Sequence, residues 1–200
     1  MSIKKKQLVI IIGLGGHSKV LLEILKQKSF KIIGYTDKTK NCIIAGIPYL
    51  GNDEKILDFS PKDIFLVNGI GYPKRENVRK KKFKYFKEKK YNFLSLKHSN
   101  SIISNNVKCS EGSQIMAGSV IQPGCIIGKN SIINTLASID HDCIIGDNVH
   151  IAPGAILCGN VKIGNNSFIG AGSIIVPNIS IKSNSFIKAG EKIFKSRFDV

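Results

Sequence analysis

Acidic side chains are scarce in this sequence. Its 200 residues include 14 aspartates and glutamates against 30 lysines and arginines, which gives a formal net charge of +16. A chain this basic favours anionic partners, and nucleic acid is the first candidate. The sequence contains no recognised nucleic-acid-binding module. A lysine-rich surface exposed to solvent is therefore the favoured interpretation, and we expect no nucleic-acid partner.

Long apolar runs and paired cysteines are also missing. The apolar run after the basic N-terminus is Leu8–Ile12, which is too short for a signal peptide or a membrane span. The cysteines are odd in number and form no CxxC pair, so we expect reduced thiols in the cytoplasm rather than a disulfide framework. They are Cys42, Cys109, Cys125, Cys143 and Cys158.

Isoleucine, by contrast, is abundant and recurs at a fixed spacing. From Ile103 to Ile193 an apolar residue occupies every sixth position, sixteen times without an insertion, and fourteen of the sixteen are isoleucine. This period matches neither an amphipathic helix nor an alternating strand, and it is typical of a solenoid. The positions are Ile103, Cys109, Ile115, Ile121, Ile127, Ile133, Ile139, Ile145, Ile151, Leu157, Ile163, Ile169, Ile175, Ile181, Ile187 and Ile193.

Each six-residue unit, or hexad, also carries turn-forming residues and usually a small or β-branched residue. The hexad that begins Ile145-Gly-Asp-Asn-Val is an example. One short strand and one tight corner per hexad predict a triangular coil of three hexads, with the isoleucines stacked along its axis. Coils stack at a strand spacing of roughly 4.8 Å, so about five coils give a prism on the order of 24 Å tall.

The first half of the chain has a different pattern, and we place the domain boundary at residue 97. Leu8–Ile12 is predicted as a buried parallel strand, and it ends in the turn Gly13-Leu-Gly-Gly-His17. A helix should follow, since a glycine turn before a helix N-terminus presents backbone N–H groups to a phosphate. Its inward residues should be Val20, Leu21, Ile24 and Leu25.

Two more strands are predicted at Lys31–Thr36 and Asp63–Val67, with a helix from about Pro73 to Lys90. Asp37 follows the second strand about twenty residues beyond the glycine turn, where an acidic residue can accept hydrogen bonds from a ribose. Three strands make half of a dinucleotide-binding fold. We therefore expect residues 1–97 to form a Rossmann-like α/β half domain with room for one nucleotide, not for a nicotinamide cofactor.

A family resemblance enters with the stretch from Asn134 to His150. It reads Asn-Thr-Leu-Ala-Ser-Ile-Asp-His-Asp-Cys-Ile-Ile-Gly-Asp-Asn-Val-His and is followed by Ile-Ala-Pro-Gly. It resembles the signature of PglD/NeuD-type nucleotide-sugar acetyltransferases of the hexapeptide-repeat superfamily, and the first half of the chain resembles their nucleotide-binding domain. The resemblance implies a left-handed parallel β-helix over residues 98–200. It also implies acetyl-CoA as co-substrate, no metal and a homotrimer.

The same resemblance assigns site residues. The substrate site for the nucleotide sugar would comprise Gly15, Gly16, His17, Asp37 and Gly69. The general base would be His141, with Asp142 raising its basicity. The acetyl-CoA slot would involve His150, Ala171 and Ala189. The chain departs from the family at His98, which no proline follows and which we take as structural, and at its C-terminus, which lacks the Gly-x-Pro-Ala-Lys segment of relatives.

The residue types of the coils support a base independently of the family. His141 and His150 are the only histidines in the repeat. Imidazole titrates near neutrality, so it can take a proton from an attacking amine or hydroxyl. Aspartates flank His141 on both sides. A carboxylate on one ring nitrogen would fix the tautomer and stabilise the imidazolium as it forms.

The expected activity is acetylation of the 4-amino group of a nucleotide-linked 4-amino-4,6-dideoxyhexose, for a bacterial surface polysaccharide such as an O-antigen or for another glycan. One alternative is an O-acetyltransferase of a sialic-acid-like sugar. Another is a non-catalytic β-helical scaffold, although a scaffold has no need of Asp-His-Asp at a corner. A zinc enzyme on such coils needs three converging histidines, and the coils contain two.

The spacing of the two histidines bears on assembly. His141 and His150 are nine residues apart, which is half of an eighteen-residue coil. They should therefore leave different parts of the triangular perimeter and should not converge within one chain. If both serve one reaction, the site lies between subunits, and association about a threefold axis is the simplest arrangement.

Overall fold

The computed structural model describes residues 7–28, 30–40, 46–72 and 77–196. The chain divides into two compact units, Met1–Leu94 and Ser95–Val200. The division falls slightly before residue 97, because Leu96–Lys97 already pairs with Gln114–Ile115 in the second unit. Within the described ranges, no helix combines the length and the apolar character that crossing a membrane requires.

The first unit is a five-stranded parallel sheet in the order β3-β2-β1-β4-β5 with two helices. The strands are β1 (Leu8–Ile12), β2 (Lys31–Thr36), β3 (Tyr49–Gly51), β4 (Ile64–Asn68) and β5 (Asn92–Phe93). The helices are α1 (Gly16–Lys26), α2 (Val78–Glu88) and a short 3₁₀ helix at Asp53–Asp58. The expectation of three strands was wrong, because β3 and β5 are too short to carry a periodic signal.

The bounds of the predicted elements otherwise agree closely with the structure. β1 and β2 are confirmed as predicted, and β4 lies one residue further along the chain than expected. The second helix begins at Val78, and residues 73–76 of its predicted range lie outside the described residues.

The helices bury one face each against this sheet. In α1 the prediction for Val20 was wrong: this side chain is 42% exposed, and Leu22 is buried instead. The buried arc of the helix is centred on Ser18, Leu21 and Leu25, and Val20 lies outside it. In α2 the expected Phe83 and Phe86 are buried.

The strand order creates a crevice beside β1. From β1 the chain runs outward to β2 and β3 and then returns to the other side of β1 as β4. The loops that follow β1 and β4 therefore leave the sheet in opposite directions. In open α/β sheets, ligands bind in this crevice at the carboxyl ends of the strands.

The second unit is a parallel β-helix with one two-residue strand per hexad. Its strands form three sheets, with the orders β22-β19-β16-β13-β10-β7, β20-β17-β14-β11-β8 and β21-β18-β15-β12-β9-β6. They are β6 Leu96–Lys97, β7 Ile102–Ile103, β8 Lys108–Cys109, β9 Gln114–Ile115, β10 Val120–Ile121, β11 Ile126–Ile127, β12 Ile132–Ile133, β13 Ser138–Ile139, β14 Ile144–Ile145, β15 His150–Ile151, β16 Ile156–Leu157, β17 Lys162–Ile163, β18 Phe168–Ile169, β19 Ile174–Ile175, β20 Ser180–Ile181, β21 Phe186–Ile187 and β22 Lys192–Ile193.

Stacked positions in the coils are eighteen residues apart. Ile145, for example, pairs with Ile127 on one side and with Ile163 on the other. The repeating isoleucines point inward and form one continuous core with the small residues of the fifth hexad position, such as Cys125 and Ala137. The predicted triangular coil with an axial isoleucine ladder is thereby confirmed.

The corners between strands need residues that tolerate a left-handed backbone. In each described corner from Gly112 to Gly190, the second residue has a positive φ, and most of these residues are glycine or asparagine. Both types adopt this conformation at low cost. Asp142, with φ of 60°, and Leu136, with φ of 58°, occupy equivalent places.

Substitutions at two adjacent residues of β17 test whether the repeating isoleucines face inward. Ile163 is 2% exposed in the core, and Lys162 points to solvent. Ile163→Ala should lower the free energy of unfolding by about 2–5 kcal/mol, because the cavity left between coils cannot collapse fully. Lys162→Ala should change it by less than about 0.5 kcal/mol. Chemical denaturation of both variants measures the difference, and equal effects would contradict the inward ladder.

Candidate active site

His141 and Asp142 form the corner between β13 and β14. The ring Nδ1 of His141 lies 2.9 Å from Asp142 Oδ2, and its backbone N–H donates to Asp140 Oδ1 over 2.8 Å. The side chains of His141 and Asp142 are 60% and 66% exposed. Both aspartates that flank the histidine therefore contact it, one through the ring and one through the backbone.

This contact sets the protonation of the imidazole. Asp142 is a hydrogen-bond acceptor, so the neutral ring carries its proton on Nδ1 and leaves the Nε2 lone pair available. The hydrogen bond to Asp142 raises the pKa of His141 above its ordinary value, and the charge of Asp140 adds to this effect. The corner thus presents a base of increased strength to solvent.

Gly159 holds the space in which the ring of His141 lies. It occupies the same corner one coil further along, and its neighbour in the chain, Asn160, donates a backbone N–H to His141 O. A Cβ on Gly159 would lie 2.6 Å from His141 Nε2, a distance that forces the ring to move. Sequence reasoning missed Gly159, because the signal appears only once residues eighteen apart are stacked.

His150 lies on a strand rather than at a corner. Its ring is 9% exposed in β15, in edge contact with Phe168, and its Nε2 lies 3.1 Å from Asn134 Nδ2. Asn134 Oδ1 already accepts the backbone N–H of Thr135, so the amide nitrogen faces the imidazole and donates to it. Asn134 and Phe168 therefore hold the ring of His150 in place.

The two histidines lie on opposite parts of one coil. His141 belongs to the corner that joins the sheets of β13 and β14, whereas His150 lies in the third sheet, with β15. In a triangular section, the corner between two sheets is opposite the third sheet. One chain therefore does not bring His141 and His150 together.

Ala171 and Ala189 are stacked at a different corner, between β18 and β19 and between β21 and β22. Gly190 N donates to Ala171 O across the two coils. The glycines of this corner, Gly172 and Gly190, have nothing within 4 Å of a built Cβ. The corner is thus a bare strip of backbone beside the sheet of His150.

The first unit contains a cavity of about 450 Å³ in the crevice beside β1. The loops after β1, β2 and β4 all line it. All five predicted substrate-binding residues are among its lining: Gly15, Gly16, His17, Asp37 and Gly69. The structure therefore brings together residues that are far apart in the sequence.

The cavity presents open backbone at the start of α1. A Cβ on Gly15 or Gly16 would meet nothing within 4 Å, so packing does not require glycine there. The N-cap residue of α1 is Gly15, which has no side chain that could cap the first turn of this helix. Its N–H groups and its positive dipole end are the usual means of binding a phosphate. Asp37 fixes the turn by accepting Leu14 N over 2.9 Å.

Three of the lining residues that were not predicted, Thr36, Asp53 and Lys82, contact one another. Asp53 Oδ1 accepts from Thr36 Oγ1, and its Oδ2 lies 2.6 Å from Lys82 Nζ. This network orients an ammonium group at the cavity. Asp53 and Lys82 come from separate elements, so no motif in the sequence links them.

Cys109, Cys125, Cys143 and Cys158 are free thiols, and Cys42 lies outside the described residues. No cluster of three or more histidine, cysteine, aspartate or glutamate residues in the described part of the chain could hold a metal ion.

Comparison with known proteins finds similar proteins for both units. Residues 8–86 match the family model of the PglD N-terminal domain. No curated protein sequence matches the chain. The acetyltransferase domain of PglB from Neisseria gonorrhoeae is 28% identical, with a TM-score of 0.90 over 97% of this chain and 94% of that one.

Two other solved structures extend the comparison. PerB from Caulobacter crescentus, in complex with CoA and GDP-perosamine, is 29% identical, with a TM-score of 0.87 over 96% of this chain and 91% of that one. WeeI from Acinetobacter baumannii is 21% identical over 94% of this chain and 96% of that one, and it shares the fold with a TM-score of 0.73.

These matches confirm the expected fold class, a Rossmann-like α/β domain followed by a left-handed parallel β-helix. They cover nearly the whole chain, and the family model covers most of the first unit. Residues 8–86 therefore match the PglD N-terminal domain family, and the chain is similar over nearly its whole length to solved structures of acetyltransferases.

Proposed function

We propose that the protein transfers the acetyl group of acetyl-CoA to the 4-amino group of a nucleotide-linked 4-amino-4,6-dideoxyhexose. The observation that carries the proposal is the hydrogen bond between His141 Nδ1 and Asp142 on an exposed corner of the β-helix. Structures of a perosamine N-acetyltransferase from Caulobacter crescentus with CoA and GDP-perosamine support it, as does the PglB acetyltransferase domain with acetyl-CoA. The product would serve bacterial surface polysaccharide or glycan synthesis.

The chemistry follows from the tautomer of His141. With its Nδ1 proton held by Asp142, Nε2 takes a proton from the sugar amine as the nitrogen attacks the thioester carbonyl carbon. The new C–N bond gives a tetrahedral oxyanion. Its collapse breaks the C–S bond, and the leaving thiolate takes the proton back from His141. His150 and the bare corner of Ala171 and Ala189 would hold the thioester and the pantetheine arm.

The cavity of the first unit would hold the nucleotide. Its volume of about 450 Å³ suits one nucleotide better than two. The diphosphate would lie on the glycine turn at Gly15, Gly16 and His17, with Asp37 near the ribose and Gly69 on the opposite wall. Both ligands are polyanions that are made in the cytoplasm, so we place the reaction there.

A homotrimer would complete the active site. His141 and His150 lie on opposite parts of one coil, so a reaction that uses both needs two chains. Isoleucines exposed on the outer faces of two sheets, such as Ile102, Ile126 and Ile156, offer apolar surface for association. Three equivalent interfaces about a threefold axis would give three sites.

Turnover with defined acceptors tests the function directly. Acetyl-CoA mixed with UDP-, dTDP- and GDP-linked 4-amino-4,6-dideoxyhexoses should release free thiol with one of them, and the acetylated product should survive mild base because it is an amide. His141→Ala should reduce kcat by about a hundred- to ten-thousand-fold while acetyl-CoA still binds. A product cleaved by mild base would favour O-acetylation, and no thiol release with any acceptor would favour a scaffold.

Gly159→Ala is the matched companion of that variant. It leaves His141 and Asp142 in place but puts a methyl group where the ring lies. We expect kcat to fall and thermal stability to stay close to wild type, because the exposed ring can swing into solvent. Wild-type kcat in this variant would mean that the observed ring position is not the reactive one.

The pH profile tests the pairing of His141 with Asp142. The base must be neutral, and Asp142 raises its pKa, so the acidic limb of kcat/KM lies at higher pH than for an unpaired histidine. Asp142→Asn should move this limb to lower pH and should reduce kcat less than His141→Ala does. Asparagine suits the left-handed corner, as Asn160 shows. A profile measured from about pH 5 to 9 that does not move would make Asp142 a corner residue only.

Subunit mixing tests the shared site. His141→Ala and His150→Ala chains should each be nearly inactive alone. When they are unfolded and refolded together, some interfaces should pair an intact His141 with an intact His150 and regain activity. Sedimentation should show trimers. Mixtures as inactive as the separate variants, or a fully active monomer, would contradict the proposal.

A further inference from the structure

Arg79 is a buried cation beside the cavity that does not line it. The side chain belongs to the first turn of α2 and is 7% exposed. Burial lowers its pKa to about 9, so it remains charged at neutral pH. Burying a charged guanidinium costs the free energy of its hydration unless hydrogen bonds within the protein offset that loss. Sequence reasoning did not single out Arg79.

The guanidinium of Arg79 donates hydrogen bonds to two backbone carbonyl oxygens. Arg79 Nη1 donates to Asn68 O over 2.9 Å and to Ile70 O over 2.7 Å. Asn68 returns the contact, because its Nδ2 donates to Arg79 O over 3.0 Å. These bonds fix the segment from Asn68 to Ile70, hereafter the wall segment, to the start of α2.

The wall segment is held from the other side by Ser18. This fully buried hydroxyl lies 2.9 Å from Gly69 O and 2.6 Å from Gly13 O, so it joins the loops that follow β1 and β4. A Cβ on Gly69 would collide with Ser18 Oγ and Gly13 O. Ser18 replaces the third glycine of the dinucleotide fingerprint, and here it acts as a tie between two loops.

Three successive carbonyl oxygens of the wall segment are therefore engaged by side chains. Arg79 donates to those of Asn68 and Ile70, and the single hydroxyl proton of Ser18 is shared between Gly69 O and Gly13 O. Carbonyl oxygens carry partial negative charge and would repel a diphosphate in the adjacent cavity. A guanidinium behind the same segment adds positive potential, which is stronger at a given distance in a medium of low dielectric constant than in water.

We propose that Arg79 and Ser18 are positioning residues for the nucleotide diphosphate: they draw the carbonyl oxygens of the wall segment into hydrogen bonds and make this side of the cavity favourable to an anion. The inference rests on the proposed nucleotide site of the first unit. It assigns no contact between Arg79 and the ligand. Its action passes through Gly69 and Ile70, which line the cavity.

Nucleoside diphosphate binding is the direct test. Titration calorimetry with UDP, dTDP and GDP should show that the wild-type protein binds at least one of them. Arg79→Met should weaken that binding by about tenfold or more, because two charge-assisted hydrogen bonds and the charge are lost. Arg79→Lys, which keeps the charge but reaches the two oxygens less well, should recover part of the affinity. Ser18→Ala should weaken binding by a smaller factor.

Phe86→Leu is the matched control for loosening of α2. Phe86 is fully buried on the same helix and packs in the core near Tyr91. The control should lower the melting temperature but leave nucleotide affinity close to wild type. In the Arg79 variants, the KM for acetyl-CoA should change little, and the KM for the sugar nucleotide should rise with the calorimetric constant.

The outcomes separate this inference from the function on which it rests. A folded Arg79→Met or Ser18→Ala protein with wild-type affinity would overturn the inference and leave the nucleotide site intact. An equal loss in Phe86→Leu would also overturn it, because general loosening would then explain the effect. If the wild-type protein binds none of the three diphosphates, the nucleotide site itself is wrong and the inference fails with it. If Arg79→Met does not fold, the nucleotide affinities of Arg79→Lys and Ser18→Ala decide whether the inference holds.

Discussion

The stacking of each coil on the next is the constraint on which the rest of the second unit depends. Backbone hydrogen bonds join residues of neighbouring coils at every strand and at most corners, and they hold the corner of His141 from both sides. Asp142 N donates to Pro123 O in the preceding coil, and His141 O accepts Asn160 N in the next. An exposed imidazole thus stands on a backbone that is hydrogen-bonded on both sides, an arrangement that would preserve the geometry of a catalytic group without burying it.

The corner also explains why an acid can sit there without cost to the fold. Its backbone must be left-handed, and asparagine, aspartate and glycine are the residues that accept this conformation. Asn160 and Asn178 occupy the same corner in later coils with φ of 57° and 63°. Aspartate at position 142 keeps the shape of asparagine and adds a charge. A structural corner therefore becomes a support for a base through one substitution of a nitrogen by an oxygen.

Sequence reasoning succeeded where a pattern is long or local. The hexads repeat sixteen times, so the β-helix and its inward isoleucines followed from spacing alone. The pairing of His141 with Asp142 is a contact between neighbours, and it too was accessible. The edge strands Tyr49–Gly51 and Asn92–Phe93 were missed, since two or three residues have no measurable period. Gly159 and Arg79 were missed because their roles depend on what lies above or beside them in space.

The net charge of the chain shows the same limit of prediction from sequence. The net charge of +16 favours anionic partners but does not indicate which residues would bind them. Among the described residues, however, Lys38 and Lys82 are the lysines that line the cavity, and Lys82 is paired with Asp53. The features that suit an anion there are backbone N–H groups at α1, open glycines and a wall whose carbonyl oxygens are already bonded. Anion binding in this cavity would therefore depend mainly on the orientation of backbone dipoles. Replacing exposed lysines on the outer face of α2 should lower nucleotide affinity far less than replacing the buried Arg79.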